Sequence, residues 1–357
     1  MKTRQLGPFQ VSAIGLGCMN FSHGYGPPIP DEQSQAVMHQ ALDRGITLFD
    51  TALLYGSGLN ETLVGRTLKA VRREITLCTK GGMVAQETSG AKKRKIDSRP
   101  EVIRANCEES LKRLGADEID LYYLHRWDKT TPIEDVIGAM GRLVEQGKVK
   151  TIGLSEVSAK TLRAAHAVFP ITAVQSEYSL WTRNPEIGVL KACQELGAAF
   201  VAFGTLGRGF FSGKLRSHAV VDALPQGDMR HNMPRFRQEN LTQNLELLRP
   251  LEEIASGLGC TAAQLAIAWC LAKEDHIIPI PGSRDCAHLE ENLGALDVVI
   301  TNDVMMTLES VFTAEKIFGN RYDSVSSTNV DTEEITSSKR VTRSINALLL
   351  SRVGDRN

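Results

Sequence analysis

No charge of one sign dominates this chain of 357 residues: 41 Lys and Arg stand against 42 Asp and Glu. A nucleic-acid binder ordinarily carries a clear basic excess, so no nucleic-acid partner is expected. No apolar run reaches membrane-spanning length, and the opening stretch, MKTRQLGPFQVSAIGLG, holds no apolar segment of signal-peptide length. No membrane association is expected either. Cysteine is present but never paired: the seven, at 18, 78, 107, 193, 260, 270 and 286, form no CxxC and have no histidine at metal-ligand spacing. Reduced thiols in a cytoplasmic protein fit that scatter better than a disulfide frame or a zinc site. No GxGxxG follows the first apolar strand, so a Rossmann-type mononucleotide fold lacks its main support. What remains, at 42% apolar and 23% charged residues, is the composition of an ordinary globular protein.

The chain instead repeats one unit. Apolar, β-rich runs recur at 13–17, 46–50, 75–80, 119–125, 150–155, 172–176, 198–204 and 277–282. Most are separated by stretches of helical period. PDEQSQAVMHQALDRG has Asp31 as N-cap, Val37, Met38, Ala41 and Leu42 on one face, and Gly45 as its stop. SRPEVIRANCEESLKRLG spaces Ser98 and Glu101 as a capping box. Near-continuous apolar strands alternating with amphipathic helices read as a parallel sheet covered by helices, and eight of them point to a closed (β/α)8 TIM barrel. RQLGPFQVS alternates around Gly7-Pro8 and suits a short N-terminal hairpin plugging the barrel bottom. The Gly/Arg-rich stretch 205–240 is too long for a routine connection and reads as a lid. Residues 1–332 make one barrel domain; 333–357 read as a C-terminal tail, disordered by default, with a short helix at SINALLLSRV as the alternative.

In a parallel barrel the active site lies at the C-terminal strand ends. The second strand ends in Asp50, with Tyr55 in the following loop; the third ends in Lys80, the fourth in His125 and the fifth in Ser155, and the sixth carries Gln175. Each has an ordinary alternative. Asp50 could cap a turn, Tyr55 could pack, Lys80 could be solvated, and His125 could be a satisfied near-core histidine. An acid, a phenol, an amine and an imidazole delivered together to one rim are harder to explain by packing alone.

The motifs GLGCM (15–19), FDTALLYG (49–56), TK (79–80), LYYLHRWD (121–128), GLSEVS (153–158), VQSEYSLW (174–181), FGTLGRGFFSGK (203–214) and IPIPGSRDCAHLEENLGAL (278–296) occur here in order. The chain thereby resembles the aldo-keto reductase superfamily over roughly residues 1–325, in the bacterial form with a long loop after strand seven. The resemblance implies an oxidoreductase that reduces an aldehyde or ketone to the alcohol, with NADPH expected over NADH. It implies a catalytic tetrad of Asp50, Tyr55, Lys80 and His125. The chemistry is coherent: carbonyl reduction needs a proton donor at the oxygen that becomes negative. An ammonium beside a phenol favours the phenolate left behind, and a carboxylate keeps the ammonium charged and aimed.

The resemblance also implies the cofactor contacts. Ser155 and Gln175 would meet the nicotinamide carboxamide. Phe203 stands where many relatives stack a tyrosine on the nicotinamide, and Gly204 stands where a serine is common. Leu206 and Arg208 fall in the pyrophosphate stretch, with Arg208 as countercharge. Ser283 and Arg284 match the positions for the adenosine 2′-phosphate, which suits the arginine fork. His288 stands where a second arginine is frequent, Asp285 weakens the phosphate pocket, and Glu291 with Asn292 match the adenine contacts. Glu156 replaces a common asparagine and is left out of the nicotinamide site. Met19, Phe21, Tyr25, Trp127 and Trp181, with Arg126 as one cation, would line an apolar mouth for a small carbonyl compound. Two alternatives remain: a non-catalytic subunit that senses the nicotinamide cofactor, and an isomerase or aldolase using Lys80 as a Schiff base, against which the adenine-site motif counts. A homo-oligomer is compatible with every reading.

Overall fold

Alternation with a period of two sends every second strand residue into a barrel and its neighbours outward, so a closed barrel needs apolar residues on both faces. The computed structural model describes residues 1–88 and 91–335, with backbone alone for 85–88 and 91–94. Its first two strands, β1 (Thr3–Leu6) and β2 (Phe9–Ser12), pair antiparallel around Gly7, whose φ of 56° makes the turn. Then come β3 (Leu16–Gly17), β4 (Leu48–Asp50) and β5 (Thr76–Gly81). A second antiparallel hairpin, β6 (Met83–Thr88) and β7 (Ala91–Ile96), interrupts the series. It continues with β8 (Ile119–Leu124), β9 (Val149–Ser155), β10 (Ile171–Glu177), β11 (Ala199–Phe203) and β12 (Ile277–Pro279).

The eight apolar runs of the sequence are the eight strands of one parallel sheet, ordered β3-β4-β5-β8-β9-β10-β11-β12. The Gly15 amide donates to the Pro279 carbonyl (3.0 Å) and Gly17 to Pro281 (3.3 Å), joining the last strand to the first. The fold is a (β/α)8 barrel. Inside pack Leu48, Cys78, Leu121, Tyr123, Ala173, Ala199, Val201, Ile278 and Ile280, closed by Leu6 and Val11 of the hairpin. A Cβ on Gly153 would fall 2.6 Å from the Tyr123 ring, so glycine there lets the tyrosine cross the interior.

The helices are α1 (Asp31–Asp43), α2 (Leu59–Leu68), α3 (Pro100–Leu114), α4 (Ile133–Glu145), α5 (Ala159–Val168) and α6 (Val189–Leu196). They continue with α7 (His218–Asp222), α8 (Gln238–Asn244), α9 (Leu248–Gly257), α10 (Ala262–Lys273), α11 (Cys286–Leu293) and α12 (Asn302–Val311). Two expected caps are corrected. Pro30 precedes α1, so Asp31 lies in its first turn. Ser98 does not cap α3, which begins at Pro100 after Arg99. Its hydroxyl accepts from the Asp128 amide (3.0 Å) and its amide donates to the Asp128 carboxylate (2.8 Å), stitching two rim loops together.

The stretch 205–240 is a packed cover. It folds into short helical turns that bury Phe210, Phe211, Leu215, Val221, Met233 and Phe236. Beyond α12 the chain returns along the C-terminal rim. The Asp331 amide donates to the Glu156 carbonyl (2.9 Å), and the Asp331 carboxylate accepts from Thr161 (2.6 Å) and Ser158 (3.1 Å) at the start of α5. Glu333 accepts from the Ala159 amide (2.8 Å), so the described part of the C-terminal segment is docked on the barrel. The helix considered at SINALLLSRV lies outside the described residues. No single helix among the described residues is long and apolar enough to cross a membrane.

Candidate active site

Inward positions at or near the ends of six strands form the rim. Two residues beyond Leu48, Cys78, Tyr123, Gly153, Ala173 and Val201 stand Asp50, Lys80, His125, Ser155, Gln175 and Phe203. Lys80 is the hub, its side chain wholly buried. Its ammonium donates to the Asp50 carboxylate, to the Thr51 carbonyl (2.9 Å) and to the Tyr55 hydroxyl (3.2 Å). Three acceptors for three N–H groups leave the amine one orientation. Gln175 donates to the second Asp50 oxygen (2.8 Å). Burial by itself would lower the Lys80 pKa, but Asp50 and Tyr55 outweigh it and hold the ammonium above its ordinary value. Burial likewise pushes the Asp50 carboxyl up against the pull of Lys80 and Gln175.

Tyr55 reaches Lys80 because the chain turns left-handed straight after it. Gly56, Ser57 and Gly58 have φ of 57°, 56° and 92°, folding the loop back on the rim before α2. The phenol ring meets His125 edge-on, with centroids 5.9 Å apart, and His23 stacks on its face at 5.6 Å and 29°. His23 and Asn60 were not legible as site residues. Asn60 is buried, accepts from the Thr51 hydroxyl (2.6 Å), and donates to the Cys18 carbonyl (2.9 Å) and the Ser22 hydroxyl (2.7 Å). It ties the loop after β3 to the loop after β4.

The expected cofactor residues fall into three groups. At the rim, Ser155 accepts from Arg126 (3.0 Å) and Phe203 carries the Arg208 guanidinium over its ring at 5.1 Å. Gly204, at φ 68°, makes the turn out of β11, and Leu206 packs half-buried on the outer core. Arg208 is corrected as a countercharge offered to a ligand. It is buried and its guanidinium is paired with Glu177 (2.8 Å). Around the start of α11, Ser283 is buried, and Arg284 donates to the carbonyls of Tyr25 (2.6 Å) and Pro27 (3.1 Å). Lys214 abuts His288, a cation the sequence reading did not single out although it closes the FFSGK motif. Asp285 caps α11 by accepting from the His288 amide (2.8 Å) and pairs with the His288 ring (2.6 Å). On α11 itself Glu291 is half-buried and Asn292 buried.

The apolar mouth needs correction. Phe21 and Trp181 belong to the core: Trp181 stacks on Phe210 at 4.4 Å and meets Phe211 and Phe236 beneath the cover. Both are buried, and the cavity wall that Trp181 does form, with Arg183, Asn184, Arg235 and Arg321, is shared with the C-terminal segment and holds none of Asp50, Tyr55, Lys80 or His125. Met19 packs half-buried beside Tyr55, Leu54 and Met83. Trp127 is half-buried with its indole N–H on the Thr131 carbonyl (2.8 Å), and the Tyr25 ring lies under Arg230 at 5.1 Å. Glu156 sits under the C-terminal segment, gripped by Arg321 (2.8 Å).

A buried lysine joining a carboxylate to a phenol at the C-terminal face of such a barrel is an arrangement that can pass a proton through the phenol. The aldo/keto reductase family model matches residues 13–312, and the chain belongs to that family. It is 43% identical over 325 residues to an NADP(+)-named aldo-keto reductase of Schizosaccharomyces pombe, covering 90% of this chain and 94% of that one. It is 42% identical over 315 residues to a probable aldo-keto reductase of Glycine max, covering 88% and 89%. Among solved structures it resembles a glycerol dehydrogenase from Gluconobacter oxydans (TM-score 0.78, 28% identity, 87% and 94% covered). An aldo-keto reductase from Bacillus halodurans follows at TM-score 0.72 and 27% identity, with 91% and 99% covered. Family membership makes the chain an oxidoreductase.

Proposed function

We propose that this protein is an NADPH-dependent reductase of a small aldehyde or ketone, working reversibly on the matching alcohol, with Tyr55 as general acid. The observation that carries this is the Lys80 ammonium, buried and shared between Asp50 and the Tyr55 hydroxyl. The residues present fit a nicotinamide dinucleotide. Arg284 and Lys214 bring two cations to the start of α11, chemistry that suits a phosphate, while the Ser283 hydroxyl donates to the Asp285 carbonyl (2.7 Å) and His288 lies between Lys214 and Asp285. Ser155 stands at the barrel mouth, two residues past Gly153, where it can meet a carboxamide. The bound cofactor supplies the hydride.

The chain's own groups handle the proton and the charge. Tyr55 donates to the carbonyl oxygen as negative charge develops there. Lys80 stabilises the phenolate left behind, Asp50 keeps Lys80 charged, and Gln175 holds Asp50 in place. His125, edge-on to the phenol, orients the carbonyl oxygen. Reduced thiols and a cytoplasmic location accord with this chemistry.

Fluorescence titration with NADPH and with NADH, followed by a carbonyl panel on the same sample, tests the reading. Tight NADPH binding with turnover is expected; tight binding without turnover across the panel would favour a cofactor sensor instead. In the same titration Arg284→Ala should weaken NADPH by roughly tenfold to a hundredfold, the range for a hydrogen bond to a charged group. NADH should change little, and an equal loss for both would show that Arg284 does not read the 2′-phosphate.

A further inference from the structure

The loop after β3 does more than line the mouth. His23 follows a turn in which the Met19 carbonyl accepts from the amides of Ser22 (3.2 Å) and His23 (2.9 Å). Asn60 holds the Ser22 hydroxyl from the α2 side. On the far side, the Gly24 carbonyl accepts from the Met229 amide of the cover (2.8 Å), and Arg284 holds the carbonyls of Tyr25 and Pro27. Four anchors thus fix a short segment, and it sets the His23 imidazole in a tilted, offset stack on the Tyr55 ring, 5.6 Å between centroids and 29° between planes. Lys80, whose Nζ lies 5.0 Å from the centroid, the edge-on His125, and the apolar Leu54, Met83 and Met19 also pack around that ring.

We propose that His23 is a positioning residue for proton delivery by Tyr55, held on the phenol by a loop that Arg284, Asn60 and the Met229 amide clamp. The inference rests on the general-acid role of Tyr55. Stacking fixes the ring plane, and with it the direction of the hydroxyl toward Lys80 and the carbonyl. It also covers the ring face, keeping water from competing for the phenol proton. Arg284 therefore joins two tasks, since the guanidinium at the start of α11 also restrains the loop that carries His23.

The experiment compares His23→Ala and His23→Phe with wild type and Tyr55→Phe. It uses saturating NADPH with benzaldehyde, or with the panel carbonyl that wild type reduces fastest. His23→Ala should lower kcat about tenfold with KM nearly unchanged, since small misplacement of a reacting group is costly. Its solvent isotope effect on kcat should rise as proton delivery becomes limiting, and the NADPH dissociation constant should stay at the wild-type value. His23→Phe keeps a stacking face and should recover kcat to within about threefold of wild type. A rise in KM alone would make His23 a substrate contact and overturn the proposal. Failure of His23→Phe to recover kcat would overturn it too, by pointing to the ring nitrogens. Should Tyr55→Phe turn over like wild type, the general-acid reading falls and takes this inference with it. If Tyr55→Phe is inactive and His23→Ala is unimpaired, only the inference falls.

Discussion

Tyr55→Phe should lower kcat for carbonyl reduction by about 10²- to 10⁴-fold, the contribution typical of a positioned general acid. The substitution removes one oxygen and leaves the ring between His23 and His125, so packing of the rim changes little. Lys80 keeps its bonds to Asp50 and to the Thr51 carbonyl and loses only its third acceptor. Cofactor affinity should accordingly stay close to wild type, which separates loss of chemistry from loss of folding. Steady-state kinetics on the best panel carbonyl, with NADPH affinity measured by fluorescence, gives both readings. Turnover within about tenfold of wild type, well short of a general-acid effect, would remove Tyr55 as the donor. Lys80→Met should be as damaging for a different reason. It leaves the Asp50 carboxylate buried without its cation, and an unpaired buried charge is destabilising as well as catalytically idle.

Arg321→Ala is the substitution expected to cost most in stability, about 3–5 kcal/mol, the usual penalty for breaking a buried ion pair from one side. The Arg321 guanidinium donates to Glu156 Oε1 (3.0 Å) and lies 2.8 Å from Oε2 as an ion pair, and both side chains are almost fully buried. Glu156 Oε1 also accepts from the Glu177 amide (2.8 Å), and Glu177 pairs with Arg208, so two carboxylates and their arginines form one network under the rim. Burial alone would raise the Glu177 pKa, but Arg208, Arg321 and Arg235 outweigh it and hold the carboxyl below its ordinary value. Its stabilising share is thus complete at neutral pH and is lost as the pH falls through its folded pKa. Arg321 also fastens the C-terminal segment through the Thr332 hydroxyl (2.9 Å), so the variant should loosen residues 313–335 first. Urea unfolding reads the stability loss, and hydrogen exchange reads where it starts. An Arg321→Met, Glu156→Gln double variant should recover much of the loss, because it removes the stranded charge along with the pair. If the double variant is no better than the single, the pair acts by shape rather than by charge.

By itself the sequence determined the architecture and the hub of the site. Eight apolar runs separated by helical periods bury two faces in a parallel sheet. Their number and the missing GxGxxG favour a closed barrel over an open sheet, and each of those runs is a barrel strand. Asp50, Lys80, His125, Ser155 and Gln175 were legible because they lie at or near strand ends, where position along the chain fixes height on the barrel; Phe203 was read only from the family resemblance. Contacts across the barrel carry no such local signal. The tie from Gln175 to Asp50 spans 125 residues, and Arg321 meets Glu156 across 165. The stretch 205–240 read as a lid because it is Gly/Arg-rich and too long for a routine connection, and its buried aromatics follow no helical or strand period that would have shown it packed. Phe21 and Trp181 looked like mouth residues for the complementary reason: sequence places a side chain near the rim without saying whether neighbours close over it. Asp285 illustrates the same limit on a smaller scale. Its charge argued against a phosphate pocket, whereas its position made it the cap of α11 and the partner of His288. Periodicity and strand ends are local properties, and the chain states them. Which side chains a loop sets against Tyr55, and which carboxylates the C-terminal segment covers, depend on packing between distant segments, and only the tertiary structure decided them.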